Sequence, residues 1–277
     1  MFMLKPNIAV TGSTGFVGTH LRKFLYEKNI PVISLVRKNH HRISEKNITF
    51  TDLEKISKIE CDVLVHLIGT GSQTIDSDYE LVNVQQTQKA VYLCKKFKIK
   101  KIIYVSGLGV SNSTTLGYFI SKLKAENLIR NSGLDYTIFR ASYIVGPDDP
   151  LTQNLDKQIR NGQLIIPGSG KYRLQPISID DVCKIILIAS INKKLSNKTI
   201  DLVGPKTISF ENYVKKFNKS RSQIKKISLE QALHAALNNP QKALYGVDDL
   251  SIMVGDFVSD HKKLEKLTGL KLKIPIL

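Results

Sequence analysis

Short apolar runs recur along the first half of the chain, and longer segments with helical periodicity separate them. The predicted strands are Ile8–Val10, Val32–Val36, Ile48–Phe50, Val63–Ile68, Lys101–Val105 and Tyr136–Arg140. Helical patterns lie near residues 79 to 97 and from Tyr118 to about Arg130. Continuous apolar strands that alternate with helices are typical of a parallel sheet covered on both faces. We therefore predict an α/β fold with a doubly wound parallel sheet.

The turn after the first strand carries three glycines, Gly12, Gly15 and Gly18, at three-residue spacing. Gly12 permits a tight turn, Gly15 lets backbone amides approach a pyrophosphate, and Gly18 lets the next helix pack on the sheet. The phosphates would then lie at the positive end of that helix. The spacing also fits an ordinary strand–turn–helix, but the following strand completes a βαβ unit. We predict a Rossmann-type nucleotide cradle formed by Thr11, Gly12, Ser13, Thr14, Gly15, Phe16, Val17 and Gly18.

The pattern changes beyond residue 146, where the turns Gly146–Pro150 and Pro167–Gly170 interrupt shorter elements. We predict a dinucleotide-binding core over residues 1–146 and a small C-terminal α/β lobe over residues 147–277, with some elements returning to the core. The lobe should lie over the carboxyl ends of the strands, where open α/β sheets bind ligands.

The chain is strongly basic: its 277 residues include 41 Lys and Arg against 24 Asp and Glu, a net charge of +17. A field of this sign attracts anionic membranes, nucleic acids or acidic proteins. The basic clusters are dispersed, as on solvated faces, and no nucleic-acid-binding motif accompanies them. We expect no nucleic-acid partner, and association with a membrane surface or a protein complex stays open.

The three cysteines, Cys61, Cys94 and Cys183, lie in apolar segments without a C-x-x-C pair. This usage predicts reduced thiols rather than disulfides, and no metal site is expected. We expect no signal peptide, because the first predicted strand begins soon after Met1, and no apolar run has the length of a membrane span. We expect a cytoplasmic protein, with peripheral membrane association as the alternative location.

The G-x-x-G-x-x-G spacing, with Thr11 before it and Phe16-Val17-Gly18 at its end, resembles the extended and atypical branches of the short-chain dehydrogenase/reductase superfamily. Tyr118 and Lys122 stand at i and i+4, on one helical face, after the fifth strand. The resemblance implies that Tyr118 is the proton donor and that Lys122 binds the nicotinamide ribose and lowers the tyrosine pKa. It also implies a hydroxyl partner, for which Ser106 is the candidate.

The second strand ends in Arg37 and Lys38, and no carboxylate follows before Glu45. A basic residue here accommodates the 2′-phosphate of NADP, whereas an acidic one binds the ribose of NAD. We predict NADP(H), with NAD(H) as the alternative, and a charge-assisted bond from Arg37 would contribute about 1.5–3 kcal/mol. By resemblance, Asp52 and Leu53 contact the adenine, and Ile68 and Gly69 line the cofactor ribose.

Other features resemble the branch that includes the nucleotide-binding accessory subunit of respiratory complex I. Among them are Asn83 in a helix where Gln86 replaces a usual glycine, Ala141 after Arg140, and the late segment Gly255–Asp260. Two functions follow: an NADP(H)-dependent oxidoreductase acting on a carbonyl or hydroxyl group of an unknown small molecule, or a non-catalytic accessory protein that holds the dinucleotide.

A nucleotide-sugar epimerase or dehydratase is a third alternative. It is less favoured because the lobe is short and Arg173 is the one candidate for binding a diphosphate.

Overall fold

The computed structural model describes residues 5–37, 46–74 and 77–276. Its strands are β1 (Ile8–Thr11), β2 (Val32–Val36), β3 (Lys46–Thr49), β4 (Val63–His66), β5 (Lys101–Gly107), β6 (Asp135–Ala141), β7 (Ile144–Val145), β8 (Gln163–Pro167), β9 (Arg173–Leu174), β10 (Ile177–Ser178), β11 (Lys198–Leu202), β12 (Ile208–Ser209) and β13 (Gln223–Ile227). Its helices are α1 (Phe16–Glu27), α2 (Gln86–Lys96), α3 (Gly117–Arg130), α4 (Pro150–Arg160), α5 (Ile179–Ile191), α6 (Phe210–Phe217), α7 (Leu229–Asn238), α8 (Val247–Met253) and α9 (His261–Thr268). A π-helical segment, Glu80–Gln85, runs directly into α2.

Seven parallel strands form the central sheet in the order β11-β6-β5-β4-β1-β2-β3. The predicted doubly wound α/β fold is therefore confirmed. The chain runs outward from β1 to β3 and then crosses back to β4 on the other side of β1. This reversal creates a switch point between β1 and β4, and open α/β sheets bind ligands at such a point.

Alternate residues of β1 face opposite sides of the sheet, as the strand period requires. Ile8 and Val10 pack in the core that contains residues of α1, α5 and α9, whereas Ala9 packs in the core that contains residues of α2 and α3. Helices thus cover both faces and hold the carboxyl ends of β1 and β4 in fixed positions. The predicted strands overlap these observed strands, although Ile48–Phe50 is shifted relative to β3.

The C-terminal half contributes to two regions. A separate core, with Leu164, Phe210 and Tyr213 at 0–1% exposure, joins β8 to α4, α6, α7 and α8 in a small lobe. By contrast, α5 and α9 pack on the central sheet, and β11 is its seventh strand beside β6. A small apolar cluster that includes Phe119 and Phe257 joins the lobe to α3. No helix within the described residues is long and apolar enough to cross a bilayer.

Candidate functional site

The loop between β1 and α1 closes tightly because two glycines contact backbone directly. Gly12 has a φ of +62°, and a Cβ there would lie 2.7 Å from the carbonyl carbon of Leu67. A Cβ on Gly18 would lie 2.3 Å from the Gly12 oxygen. By contrast, a Cβ on Gly15 would meet nothing closer than 3.4 Å, and Gly15 is exposed. The cradle is therefore tight on its protein side and open toward solvent at Gly15.

The N-terminus of α1 has the features of an anion site. Gly15 is its N-cap, no side chain caps the first amides, and the first turn holds no acidic residue. Ser13 does not face the opening: its hydroxyl donates to the Leu35 carbonyl at 3.1 Å, and Arg22 Nη1 donates to the Ser13 carbonyl at 2.9 Å. These bonds hold the loop while the helix amides stay available to an anion.

A buried polar chain links the ends of β1 and β4. Thr87 Oγ1 donates to the Asn83 carbonyl at 2.7 Å and therefore accepts from Nε2 of His66 at 3.1 Å. Nδ1 of His66 then accepts from Thr11 Oγ1 at 2.8 Å. Burial, with a smaller contribution from the Lys122 charge, lowers the pKa of His66 to about 3. His66 is thus a neutral structural residue of the switch point.

Asn83 fixes the backbone that follows β4. Its Oδ1 accepts from the Thr70 amide at 2.9 Å, and its Nδ2 donates to the Thr70 carbonyl and to Ser121 Oγ. The π-helical segment places this fully buried amide, and such segments often occur at functional sites. A Cβ on Gly69 would lie 2.9 Å from Lys122 Nζ, so glycine lets the lysine approach this strand end.

Tyr118 and Lys122 lie on α3 as predicted, one helical turn apart. Lys122 Nζ is 5.8 Å from the Tyr118 ring centroid and 5.0 Å from that of Tyr104, and it donates to the Val105 carbonyl at 3.4 Å. Burial lowers the pKa of Lys122 to about 8, and Glu126 opposes that effect. Burial also raises the pKa of Tyr118 to about 12, where the resemblance implied a lowered value. The phenol is therefore a neutral donor near pH 7.

The structure does not bring Ser106 to the pocket that Tyr118 lines. Ser106 is 3% exposed, and its hydroxyl has no hydrogen-bond partner among the described residues. Gly107 and Leu108 line the pocket in its place. The strand continues through Gly107, so Ser106 still has the alternating orientation of β5 and its side chain stays in the interior.

The residues predicted to contact the 2′-phosphate and the adenine follow two different strands, β2 and β3. Arg37 directly follows β2 and is exposed, whereas Lys38 lies outside the described residues. Asp52 accepts from Lys89 Nζ at 2.5 Å and from the Glu54 amide, and its pKa is lowered chiefly by the Lys89 hydrogen bond. Leu53 is fully buried in the core. Leu53 therefore has no exposed surface with which to contact the adenine.

A cavity of about 430 Å³ lies between the central sheet and the lobe, beside Tyr118. Its lining residues are Gly71, Gly107, Leu108, Tyr118, Phe119, Ala141, Ser142, Tyr143, Pro150, Leu151, Asn154, Tyr245, Asp249, Ile252, Met253 and Phe257. Among the lobe residues of this lining, Pro150 lies in the predicted turn Gly146–Pro150 and Phe257 in the late segment Gly255–Asp260, and the sequence pattern marks none of the others. Asp248 and Asp249 lie in the first turn of α8, a common position for carboxylates, and so gave no local signal of the pocket.

Arg173, the candidate for a diphosphate, is engaged by its own chain. Its Nε and Nη2 contact Asp256 Oδ2 at 2.9 and 2.8 Å, and its amide donates to Asp256 Oδ1 at 2.7 Å. Arg140, which precedes the atypical Ala141, pairs with the fully buried Glu126 at 2.8 Å. Both arginines therefore have structural partners.

A glycine cradle at the first helix of a doubly wound parallel sheet defines a Rossmann-type nucleotide-binding protein. A model of the NAD dependent epimerase/dehydratase family matches residues 8–202, and the chain belongs to that family. Its predicted relationship to extended short-chain dehydrogenases and to complex I subunits is thereby confirmed. The 40 kDa subunit of mitochondrial NADH-ubiquinone oxidoreductase from Neurospora crassa is 23% identical over an alignment of 215 residues that covers 72% of this chain and 56% of that protein.

Two further proteins show the breadth of the similarity. A 4-hydroxy-2-methyl-3-oxo-4-farnesyl-3,4-dihydroquinoline-1-oxide ketoreductase from Stigmatella aurantiaca is 26% identical over 212 residues, 65% of this chain and 63% of that enzyme. The solved UDP-glucuronic acid 4-epimerase of Bacillus cereus, in complex with UDP-glucuronic acid and NAD, superposes with a TM-score of 0.76 at 21% identity over 98% of this chain and 95% of the other. The chain thus spans less than two thirds of each curated relative named here, and the superposition shows the fold.

Proposed function

We propose that the protein is an NADP(H)-dependent oxidoreductase that reduces a carbonyl group, or oxidises the corresponding alcohol, in the pocket beside Tyr118. The observation that carries the proposal is the position of that side chain. Tyr118 lines the pocket, and Lys122 of the same helix face reaches the strand end at Gly69. The pair therefore connects the substrate pocket to the switch point of the sheet.

The cradle fits a dinucleotide. The α1 amides and the open side of Gly15 suit a pyrophosphate, and a Cβ on Gly12 or Gly18 would fill space that the loop backbone occupies. Arg37 would bind a 2′-phosphate, and Lys122 would bind the ribose beside Gly69. When bound, NADPH supplies two electrons as a hydride and leaves as NADP⁺.

The Tyr118 phenol donates its proton to the oxygen of the reduced carbonyl group and regains a proton from water. A pKa of about 12 keeps the phenol protonated near pH 7, which suits the reductive direction. Lys122, with a pKa of about 8, is largely protonated at the same pH and stabilises negative charge that develops on Tyr118. The surrounding apolar side chains exclude water and strengthen these interactions.

Titration calorimetry with NADPH and NADH tests the cofactor. Wild-type protein should bind NADPH at least about tenfold more tightly than NADH, the lower end expected for a charge-assisted bond. Arg37→Asp should remove that preference, whereas Lys263→Asp, the same charge change at an exposed site on α9, should keep it. An unchanged preference in Arg37→Asp would remove the NADP assignment, and no heat with either dinucleotide would refute the proposal.

NADPH oxidation with a panel of aldehydes and quinones tests the chemistry. Tyr118→Phe should lower kcat by about 10²- to 10⁴-fold, the usual contribution of a proton donor. Tyr79→Phe is the matched control, because that hydroxyl donates to the Gly71 carbonyl and the residue does not line the pocket. Equal losses in the two variants would contradict the assigned role of Tyr118.

A second candidate function is a non-catalytic accessory protein. It is favoured because the apolar Leu108 lines the pocket, where the resemblance implies a hydroxyl partner for Tyr118. A groove of about 760 Å³ on the lobe, lined by Lys171, Lys206, Lys215 and Lys216, offers a basic docking surface for such a role. The complex I subunit among the relatives points in the same direction. Tight dinucleotide binding without turnover of any acceptor would support this alternative.

A further inference from the structure

The pocket beside Tyr118 is lined mainly by aromatic and aliphatic side chains. Five aromatic rings face it, and aliphatic side chains supply most of the remaining surface. Among the described residues that line it there is no Lys, Arg or His. A site that buries phosphate or carboxylate groups normally supplies cations or bidentate guanidinium donors for them. This pocket has neither.

The one charged side chain of the lining is a carboxylate. Asp249 lies in the first turn of α8, where its Oδ2 accepts from the Gly246 amide at 3.0 Å, and it is exposed at the pocket. Its charge contributes, after burial, to raising the pKa values of Tyr143 and Tyr245, which line the same pocket. The one formal charge among the described residues of the lining is therefore negative.

Arg173, the candidate for binding a diphosphate, is neutralised outside the pocket lining. Phe257 lines the pocket, and its amide donates to the Arg173 carbonyl at 2.9 Å. The guanidinium of Arg173 does not join that lining; it contacts Asp256, which also accepts from the Arg173 amide. A diphosphate would have to displace this carboxylate before it could use the arginine.

From this juxtaposition of rings, Asp249 and the Arg173–Asp256 pair, we infer that the substrate is an uncharged, ring-bearing aldehyde or ketone, or its alcohol, and that nucleotide sugars are excluded. The redox step rests on the proposed function: the carbonyl carbon is reduced by the hydride of NADPH, which becomes NADP⁺, and the oxygen takes the Tyr118 proton. The exclusion of anions is a property of the pocket alone.

A matched pair of probes measures the selectivity without requiring turnover. Methyl 4-formylbenzoate and 4-formylbenzoate share their ring and aldehyde and differ in one negative charge. Calorimetry with the full chain should show the ester binding at least about tenfold more tightly than the acid, because the acid loses hydration and gains no cation. UDP-glucose should bind more weakly than the ester.

Three variants locate the effect. Gly71→Phe should abolish ester binding, because Gly71 lines the pocket and a Cβ there meets nothing within 4 Å, so the ring enters without a backbone clash. Asp249→Asn should lower the ratio of ester affinity to acid affinity by about threefold or more, since it removes the negative charge that faces the pocket. Asp248→Asn, one residue earlier in α8 and outside the lining, should leave the ratio unchanged.

The outcomes separate the two proposals. Preferential binding of the ester by a protein that binds neither dinucleotide would refute the proposed function and support the pocket selectivity. Absence of ester binding, equal binding of ester and acid, or binding of UDP-glucose that is lost in Arg173→Ala would overturn the inference. When both proposals hold, NADPH oxidation proceeds with the ester, is slower with the acid and falls in Tyr118→Phe.

Discussion

Replacement of Gly18 by alanine tests the cradle at its tightest contact. The new Cβ would lie 2.3 Å from the Gly12 oxygen and 2.7 Å from Ser13 Cα. Both neighbours are backbone, and the Gly12 side is itself held against Leu67. Neither partner can rotate away as a flexible side chain would, so α1 must move outward from the sheet.

The expected loss of stability follows from two opposing effects. Overpacking costs about 1–3 kcal/mol, and a clash with backbone belongs at the upper end. Alanine regains about 1 kcal/mol over glycine in a helix interior. The net loss is about 2 kcal/mol, which corresponds to a Tm decrease of about 3–4 °C in a chain of 277 residues. The variant should also lose dinucleotide binding, because displacement of α1 opens the cradle.

Gly15→Ala is the matched control on the same loop. Its Cβ would meet only the Gly12 oxygen at 3.4 Å, and its φ of −75° suits alanine. Thermal denaturation should therefore place its Tm within about 2 °C of wild type, since replacing glycine by alanine at an N-cap costs about 0.5–1 kcal/mol. NADPH affinity should still fall, because the methyl group occupies the open side. Wild-type stability in Gly18→Ala would refute the packing argument, and wild-type affinity in Gly15→Ala would refute the location of the pyrophosphate.

Two further predictions concern buried titratable groups. The folded-state pKa of His66, about 3, lies below its unfolded value of 6.5, so the unfolded chain binds the extra proton and stability should fall as pH decreases from 6.5 toward 3. At up to about 1.4 kcal/mol per pH unit, the free energy of unfolding falls by about 2 kcal/mol by pH 5. Denaturation at several pH values should show a smaller dependence of this free energy on pH in His66→Gln and an unchanged one in the exposed His234→Gln. An equal pH dependence in all three proteins would contradict the assigned pKa of His66. Lys122→Met should lose activity but unfold at a Tm equal to or above that of wild type at pH 7, because the folded-state pKa of about 8 means that burial of the charge destabilises the fold. Lys124→Met, on the exposed side of α3, should keep activity. A large Tm decrease in Lys122→Met would show instead that the lysine stabilises the fold.

The core of the fold was predictable because its information is local. Apolar runs mark β1, β2, β4 and β5, and each carries its own signal of burial on both faces. The cradle was predictable for the same reason, since the glycine spacing encodes contacts within one turn and the helix that follows it. Tyr118 and Lys122 were located through their position after β5, not through the i, i+4 pair itself.

The pocket wall was not predictable, because its residues are brought together across more than a hundred positions. Asp249 and Phe257 lie in the pocket with Tyr118 because the chain between them first adds α5 and β11 to the central sheet and then forms the lobe. No local pattern distinguishes Asp249 from other acidic residues in the first turn of a helix. Likewise, the inward orientation of Ser106 depends on how far β5 extends before it turns.

The polar groups at the switch point differ in how fully the protein itself satisfies them, and this difference points to the ligand position. His66 and Asn83 have each ring nitrogen or amide atom hydrogen-bonded within the fold. Lys122 is also buried, but its hydrogen bond to Val105 is long at 3.4 Å, and its ammonium lies near the rings of Tyr104 and Tyr118. A buried ammonium with unused donors is costly unless a ligand completes its bonds. Under the proposed function, the two hydroxyls of a ribose beside Gly69 would complete these bonds, and this role would account for a destabilising lysine at this position.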